Sequence, residues 1–222
     1  MIDQPTAHGW AGLLPAGTLP HVEQLLASHA VTVRLSRPRR SKLGDHRPPV
    51  RGQGQHRITV NDNLNPYAFL TTLLHEIAHV TTWEKLRLRI RRYRPHGREW
   101  KREFEQILAP VVSGGLLPGD ISDALGAFMR NPAAASCSDR RLMLALARYD
   151  HEEPGRSRVE ELAVGAVFRL DSGQVFRVSR RLRSRYQCFE VSTGREYRVH
   201  SLCRVEPLPA SALKRRRTSP LG

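Results

Sequence analysis

The sequence has few cysteines and no long apolar run, and each absence excludes a class of protein. The three cysteines, Cys137, Cys188 and Cys203, are scattered and form no C-x-x-C pair. They exclude a secreted disulfide scaffold and a cysteine-based zinc ribbon. No apolar segment approaches the roughly 20 residues that span a bilayer, and the first residues lack the pattern of a signal peptide. We therefore expect a cytoplasmic protein that contacts no membrane.

Acidic residues are scarce relative to basic ones. The chain carries 36 Lys+Arg against 21 Asp+Glu, a formal net charge of +15, and only four of the basic residues are lysine. Such an excess of cations predicts attraction to polyanions, of which nucleic acid is the commonest. DNA is therefore an expected partner, and the bacterial cytoplasm or nucleoid is the expected location.

Hydrophobic periodicity divides the chain into a mainly helical part and a part made of short strands. Residues 1–150 combine helical patterns with two strand patterns, and a basic Pro- and Gly-rich segment at 37–55 predicts a long loop. Residues 151–158 predict a linker, and the alternating runs in 159–208 predict a small β-barrel-like module. Residues 209–222 predict a basic disordered tail. The expected fold class is α+β.

The longest helical pattern begins at Asn65-Pro66, where Asn suits the N-cap and Pro suits the first helical position. Apolar residues then recur at helical spacing, so one face of this helix should be buried. Further helices are predicted after Pro95, near Asp120 and after Ser138, which we expect to be the N-cap of the last one.

The segment His75-Glu76-Ile77-Ala78-His79 lies inside the longest predicted helix. Residues four apart on a helix project from one face, so the imidazoles of His75 and His79 can bind one Zn2+. Glu76 is placed to take a proton from a zinc-bound water, whose pKa the metal lowers to about 7. The segment therefore predicts a zinc-dependent hydrolase with Glu76 as general base.

This segment leaves the third zinc ligand open. Metzincins have a glycine three residues after the second histidine and a histidine six residues after it. Thr82 and Lys85 occupy those positions, which excludes that class. Two candidates follow His79, namely His96 after 17 residues and Glu99 after 20. The other seven histidines lie outside any motif, and we expect them to be ordinary surface or core residues.

The two segments 75–79 and His96-Gly97-Arg98-Glu99-Trp100-Lys101 together resemble the SprT-like metalloprotease family. That family combines H-E-x-x-H with a later His-Gly-x-x-[Phe/Trp]-[Lys/Arg], and the similarity extends over about residues 31–107. The resemblance implies a zincin-like protease domain that binds one Zn2+ per chain. In that domain Glu76 is the general base and the zinc ligands are His75, His79 and His96.

The family includes the eukaryotic Spartan proteases, which degrade proteins crosslinked to DNA. The resemblance therefore implies a protein substrate that is DNA-bound or DNA-crosslinked.

The β module carries a concentration of arginines within one predicted hairpin. Phe176 and Tyr186 alternate with these arginines, and aromatic rings among cations are typical of surfaces that contact phosphates and stack on bases. We therefore expect nucleic acid to contact Arg177, Arg180, Arg181, Arg183 and Arg185.

Two functional hypotheses follow from the sequence. The first is a zinc endopeptidase of SprT-like type that acts on DNA-associated or unfolded protein, with extended substrate pairing along the strand at Ile58–Val60. The second is a nucleic-acid-binding protein whose zinc site is structural or vestigial. Glu76 disfavours the second, because a structural site needs no general base. A non-proteolytic metal hydrolase is a third alternative.

Overall fold

The computed structural model describes residues 9–39, 42–50, 54–87, 94–130, 139–151 and 154–209. These ranges form an α+β structure, as predicted, with five α-helices and two sheets. The chain divides into two compact units between His151 and Glu152. No helix in the described ranges is long and apolar enough to cross a membrane. All but the first residue of the predicted tail lie outside these ranges.

Helices make up most of the first unit. They are α1 (Leu19–Ala27), α2 (Pro66–Leu86), α3 (Arg98–Ser113), α4 (Gly119–Arg130) and α5 (Arg140–Ala147). Helices α2 to α5 lie where the sequence predicts helices. The N-cap of α5 is Asp139, whose carboxylate accepts a hydrogen bond from the N–H of Leu142 at 2.9 Å. The prediction that Ser138 is the N-cap is therefore wrong, and Ser138 itself lies outside the described residues.

Helix α2 is buried from Ala68 to Thr82 and forms the centre of the core. Its N-cap is Asn65, as predicted, with the side-chain oxygen accepting from the N–H groups of the first turn. The Asn65 amide Nδ2 also donates to the carbonyl of Leu146 and the carboxylate of Asp150. The start of α2 is thus tied to the region around the end of α5.

A three-stranded sheet packs on α2. Its strands are β1 (Val31–Ser36), β2 (Gly44–Arg47) and β3 (His56–Asn61), in the order β1-β3-β2. Strand β3 runs parallel to β1 and antiparallel to β2.

Two expectations about this region are wrong. The segment at 37–55 was expected to be a loop, but it contains β2, whose Gly-Asp-His-Arg sequence has no strand periodicity and becomes extended by pairing with β3. The strand at Ile58–Val60 lies at the centre of the sheet, so both its edges are occupied and substrate cannot pair there. Among the described residues, the edge of β2 away from β3 pairs with no strand.

The second unit is a six-stranded antiparallel sheet in the order β4-β9-β5-β6-β7-β8. Its strands are β4 (Ser157–Arg158), β5 (Val167–Arg169), β6 (Val175–Arg181), β7 (Arg185–Glu190), β8 (Glu196–His200) and β9 (Arg204–Leu208). The described sheet does not close into the predicted barrel, because its edge strands β4 and β8 do not pair and β4 has only two residues.

Candidate metal centre and basic face

Three histidine side chains converge between α2 and the turn before α3. His75 and His79 project one turn apart from α2 and are 8% and 9% exposed. Nε2 of His96 lies 3.0 Å from Nε2 of His75 and 3.1 Å from Nε2 of His79. Glu99, the alternative third ligand, is exposed and is not part of this cluster. The structure thus brings together the three histidines that the resemblance implies as ligands.

These separations fit a metal site better than a hydrogen-bonded cluster. Nε2 of His96 has either one proton or one lone pair, so it cannot form a good hydrogen bond to both neighbours. Nitrogens that bind a tetrahedral zinc at about 2.0–2.1 Å lie about 3.3 Å apart, close to the distances seen here. The chemistry of this donor set therefore suits a zinc ion.

The environment keeps these imidazoles in the form that binds metal. Burial, with a smaller contribution from the neighbouring histidines, lowers the pKa of His75 to about 3 and that of His79 to about 2. Burial also lowers the pKa of His96. Neutral imidazoles are the ligands that zinc requires, so binding does not have to displace protons near neutral pH.

His96 lies in a tight turn that explains the glycine of the second motif. Its φ angle is 58°, and no other non-glycine residue in the described ranges has a positive φ. The N–H of Gly97 donates to the carbonyl of Arg94 at 2.9 Å, and a Cβ on Gly97 would lie 2.9 Å from the same oxygen. A left-handed conformation costs a residue other than glycine about 1–2 kcal/mol. Such strain is often found at functional sites.

Trp100 packs against all three histidines. Its ring centroid lies 4.6 Å from that of His75, 5.3 Å from that of His79 and 4.8 Å from that of His96. The indole is fully buried, and its Nε1 has no hydrogen-bond partner among the described residues. Packing rather than hydrogen bonding therefore explains an aromatic residue at this position of the motif.

Glu76 is buried between α2 and β2. A Cβ on Gly44 would lie 2.7 Å from both Oε1 of Glu76 and Cγ2 of Thr72, so only glycine allows β2 to approach this closely. The backbone N–H of His46 donates to the Glu76 carboxylate. Burial, together with the negative charge of Asp45, raises the pKa of Glu76 to about 8. A carboxyl group whose pKa lies near neutrality can both accept and release a proton.

Two histidines without a motif also lie at this centre. Nε2 of His46 is 2.8 Å from Nδ1 of His56, and Nε2 of His56 is 2.9 Å from Oε1 of Glu84. The ring of His46 is nearly parallel to that of His79, with their centroids 6.2 Å apart. The sequence contains no signal for this series of hydrogen bonds, because His46, His56 and Glu84 come from three different elements at unrelated spacings.

The SprT-like family model matches residues 20–115, somewhat under half of the chain. The match includes both motifs and therefore the three converging histidines. The matched residues are therefore SprT-like, and we call them the SprT-like domain. No curated protein and no solved structure gave a match.

The SprT-like domain comprises the three-stranded sheet and helices α1 to α3. This family is associated with zinc metalloprotease-like domains, and the cluster of His75, His79 and His96 could hold a metal ion. The resemblance that the two motifs indicate is confirmed. Helices α4 and α5 and the six-stranded sheet lie outside the matched residues.

A basic face lies on the six-stranded sheet, outside the SprT-like domain. Along β7, Tyr186 and Cys188 are buried, whereas the alternate residues point away from the core. The pairing places Arg177 opposite Phe189, and it places Arg180 and Arg198 on either side of Gln187. We call this surface the β6–β8 face, and it consists of Arg177, Arg180, Arg185, Gln187, Phe189 and Arg198.

The five predicted arginines do not share one surface. Arg177, Arg180 and Arg185 belong to the β6–β8 face. Arg181 pairs in register with the buried Tyr186 and so lies towards the other side of the sheet, while Arg183 lies between β6 and β7.

The prediction that aromatic residues alternate with these arginines on the surface is also wrong. Phe176 and Tyr186, expected to alternate with the arginines on the surface, are 1% and 7% exposed and belong to the core. The exposed aromatic ring is that of Phe189, at 38%. Strand alternation would have indicated Phe189, since it lies on the same side of β7 as the exposed Arg185. Arg198 follows from the pairing of β8 with Gln187.

Three of the four arginines of the β6–β8 face lack the ion pairs found elsewhere in this sheet, whereas the fourth, Arg198, lies 4.0 Å from Glu196. Elsewhere in the sheet Arg169 pairs with Glu206 at 3.0 Å, and Arg158 pairs with Glu161 at 3.3 Å. Within the described residues, no carboxylate lies within 4 Å of Arg177, Arg180 or Arg185. The positive charge of this face is therefore available to an external anion.

Proposed function

We propose that the SprT-like domain is a zincin-like, zinc-dependent endopeptidase that acts in the cytoplasm. The observation that carries the proposal is the convergence of three histidine Nε2 atoms next to a buried carboxyl group on the same helix. A purely structural metal site has no use for Glu76, whose contact with Gly44 and whose hydrogen bond from His46 fix its position.

His75, His79 and His96 would hold one Zn2+ per chain. When bound, the metal supplies a Lewis acid and lowers the pKa of a water at its open coordination position to about 7. Glu76 accepts the proton of the attacking water and delivers it to the amine of the leaving peptide. The backbone N–H of His46 orients the Glu76 carboxylate, and Trp100 excludes water from the space behind the three histidines.

The free edge of β2 suits an extended peptide. Backbone groups at an unpaired strand edge can hydrogen-bond to a peptide that adds as a further strand. A peptide at this edge would lie beside Glu76, because β2 contacts that residue through Gly44 and His46. We therefore propose unfolded or locally extended protein segments as substrates.

Arg177, Arg180 and Arg185 of the β6–β8 face, which pair with no carboxylate in the described part of the chain, support DNA as a partner, and hence DNA-associated or DNA-crosslinked protein as substrate. The same face supports the second candidate function, a nucleic-acid-binding protein with a structural zinc site. Both functions require salt-dependent DNA binding, so only cleavage distinguishes them.

The test is cleavage of a DNA-binding protein such as a histone, with no DNA, single-stranded DNA or double-stranded DNA. Glu76→Gln should retain zinc and lose cleavage, whereas His79→Ala should lose both. Glu99→Gln changes an exposed glutamate near the site and should retain both, which makes it the matched control. A Glu76→Gln protein that cleaves at the wild-type rate would exclude the mechanism. A zinc-loaded protein that cleaves nothing in any of these mixtures would favour the binding function.

A further inference from the structure

A chain of three side chains connects the last turn of α2 to the strand that covers Glu76. Oε1 of Glu84 lies 2.9 Å from Nε2 of His56 on β3, and Nδ1 of His56 lies 2.8 Å from Nε2 of His46 on β2. His56 is 1% exposed, and its ring packs edge-on against Trp83 with centroids 5.0 Å apart. Both nitrogens of His56 are therefore occupied by these two contacts.

The direction of the hydrogen bonds follows from the chemistry of the groups. The hydrogen bond from His56 is the main cause that lowers the pKa of Glu84, so this carboxylate is ionised and only accepts. Nε2 of His56 must then carry a proton. Two charged rings with centroids 5.0 Å apart would repel each other. A protonated His56 would donate from Nδ1 to Nε2 of His46 and leave the proton of that ring on Nδ1. With both rings neutral, Nδ1 of His56 instead accepts from the N–H at Nε2 of His46.

This arrangement leaves the other nitrogen of His46 with a lone pair. Nδ1 of His46 has no partner among the described residues, and the side chain is partly exposed. Its ring lies beside that of His79, and its backbone N–H binds Glu76. In this neutral arrangement, Nδ1 of His46 is a hydrogen-bond acceptor on the edge strand β2, next to the proposed metal ligands.

We infer that His46 contacts the substrate, accepting a peptide N–H at Nδ1, and that Glu84 positions it through His56. The inference rests on the proposed peptidase function. It assigns a role in substrate binding to three residues that lie outside both sequence motifs.

Imidazole 15N NMR of the full-length protein, with and without zinc, tests the hydrogen bonds from Glu84 to His46 without any need for activity. Both His46 and His56 should be neutral with the proton on Nε2. Glu84→Ala should shift His46 towards a mixture of tautomers, whereas Glu84→Gln, whose carbonyl still accepts from His56, should preserve the wild-type spectrum. Glu103→Ala, which breaks the ion pair with Lys85, is the control. A proton on Nδ1 of His46, or a Glu84→Ala spectrum like that of the wild type, would overturn the inference.

Kinetics of the zinc-loaded protein test the contact itself. His46→Phe keeps the ring packing but removes the acceptor, so kcat/KM should fall about three- to tenfold, the effect of one lost hydrogen bond, with zinc content unchanged. Glu84→Ala should reduce kcat/KM by a smaller factor, and Glu84→Gln should restore most of it. If the wild-type protein cleaves and His46→Phe cleaves at the same rate, the inference about His46 is wrong but the peptidase proposal stands. A wild-type protein without activity contradicts the peptidase proposal, and the NMR outcome still decides the hydrogen-bonded chain.

Discussion

A methyl group on Gly44 would overlap the carboxyl group of Glu76. Its Cβ would lie 2.7 Å from Oε1 and 2.9 Å from Cγ of Glu76, well inside van der Waals contact. Gly44→Ala should therefore displace the carboxyl group or move β2 away from α2. We expect at least tenfold slower cleavage with unchanged zinc content, and a loss of about 1–3 kcal/mol in stability from overpacking.

Gly126 provides the control for this substitution. It lies in α4, where an added Cβ would meet only the end of the Arg130 side chain at 3.8 Å. Gly126→Ala should leave cleavage unchanged and stabilise the helix by up to about 1 kcal/mol. A Gly44→Ala protein with wild-type cleavage would show that the close approach of β2 is irrelevant to Glu76.

The metal-free protein should be most stable near pH 6.5. Burial lowers the pKa of His46, His75 and His79 to about 4, 3 and 2. Below the usual histidine pKa of about 6.5, the unfolded chain therefore binds more protons than the folded one, and stability falls on acidification. The pKa of Glu76 is raised to about 8, so the folded state disfavours its ionised form. Glu76 therefore lowers the stability of the folded protein progressively as the pH rises from about 4.5 to 8.

Thermal melting of the chelated protein between pH 4 and 9 measures both sides of this profile. The three histidines outweigh the single glutamate below pH 6.5, and Glu76 outweighs them above about pH 7. Glu76→Gln should flatten the alkaline side and leave the acid side unchanged. A wild-type melting temperature that keeps rising from pH 6.5 to 8 would show that Glu76 does not titrate as described.

The left-handed backbone of His96 predicts an unusual order of stabilities. Glycine adopts this conformation without steric cost, whereas alanine retains the strain. In the absence of metal, His96→Gly should therefore be more stable than His96→Ala by about 1 kcal/mol, and neither variant should be stabilised by zinc. Chemical denaturation with and without zinc measures both effects. An alanine variant as stable as the glycine variant would mean that position 96 is relaxed in solution.

The β6–β8 face should bind single-stranded DNA through two separable contributions. Arg177→Ala should lower the slope of log K against log salt by about 0.7, the value for one phosphate contact on a single strand. Phe189→Ala should weaken binding about tenfold through lost stacking, with no change in the slope. Arg169→Ala, which removes an arginine already paired with Glu206, is the control. Equal effects of Arg169→Ala and Arg177→Ala in a fluorescence titration would exclude a specific role for this face.

The parts of the site that the sequence predicts are those that depend on local spacing. His75, Glu76 and His79 are related by one helical turn, and the cap at Asn65 identifies that helix. The chain from Glu84 to His46 was not predictable in this way, because its residues meet only when β2 and β3 pair. Strand β2 escaped detection for the same reason, since its four residues have no intrinsic preference for an extended conformation.

The sheet of the second unit shows a different limit of prediction from sequence. Alternation predicted strands at the correct places, yet it did not show which alternate set was buried. Phe176 and Tyr186 were expected among the surface arginines, but they face the core that Phe168 and Val205 complete from neighbouring strands. The choice between the two faces of a strand depends on partners distant in the sequence, so pattern alone could not decide it.

The hydrogen bonds of Asn65 define the smallest piece of this protein that should fold. Asn65, the N-cap of α2, donates hydrogen bonds to Leu146 and Asp150, and both lie well beyond the matched residues 20–115. Phe104 of α3 also packs on Phe128 of α4, with ring centroids 5.9 Å apart. A chain ended at residue 115 would lose these partners and expose the apolar side of α3 to water. The family signature and the cooperative folding unit therefore have different boundaries, and the latter extends to about His151.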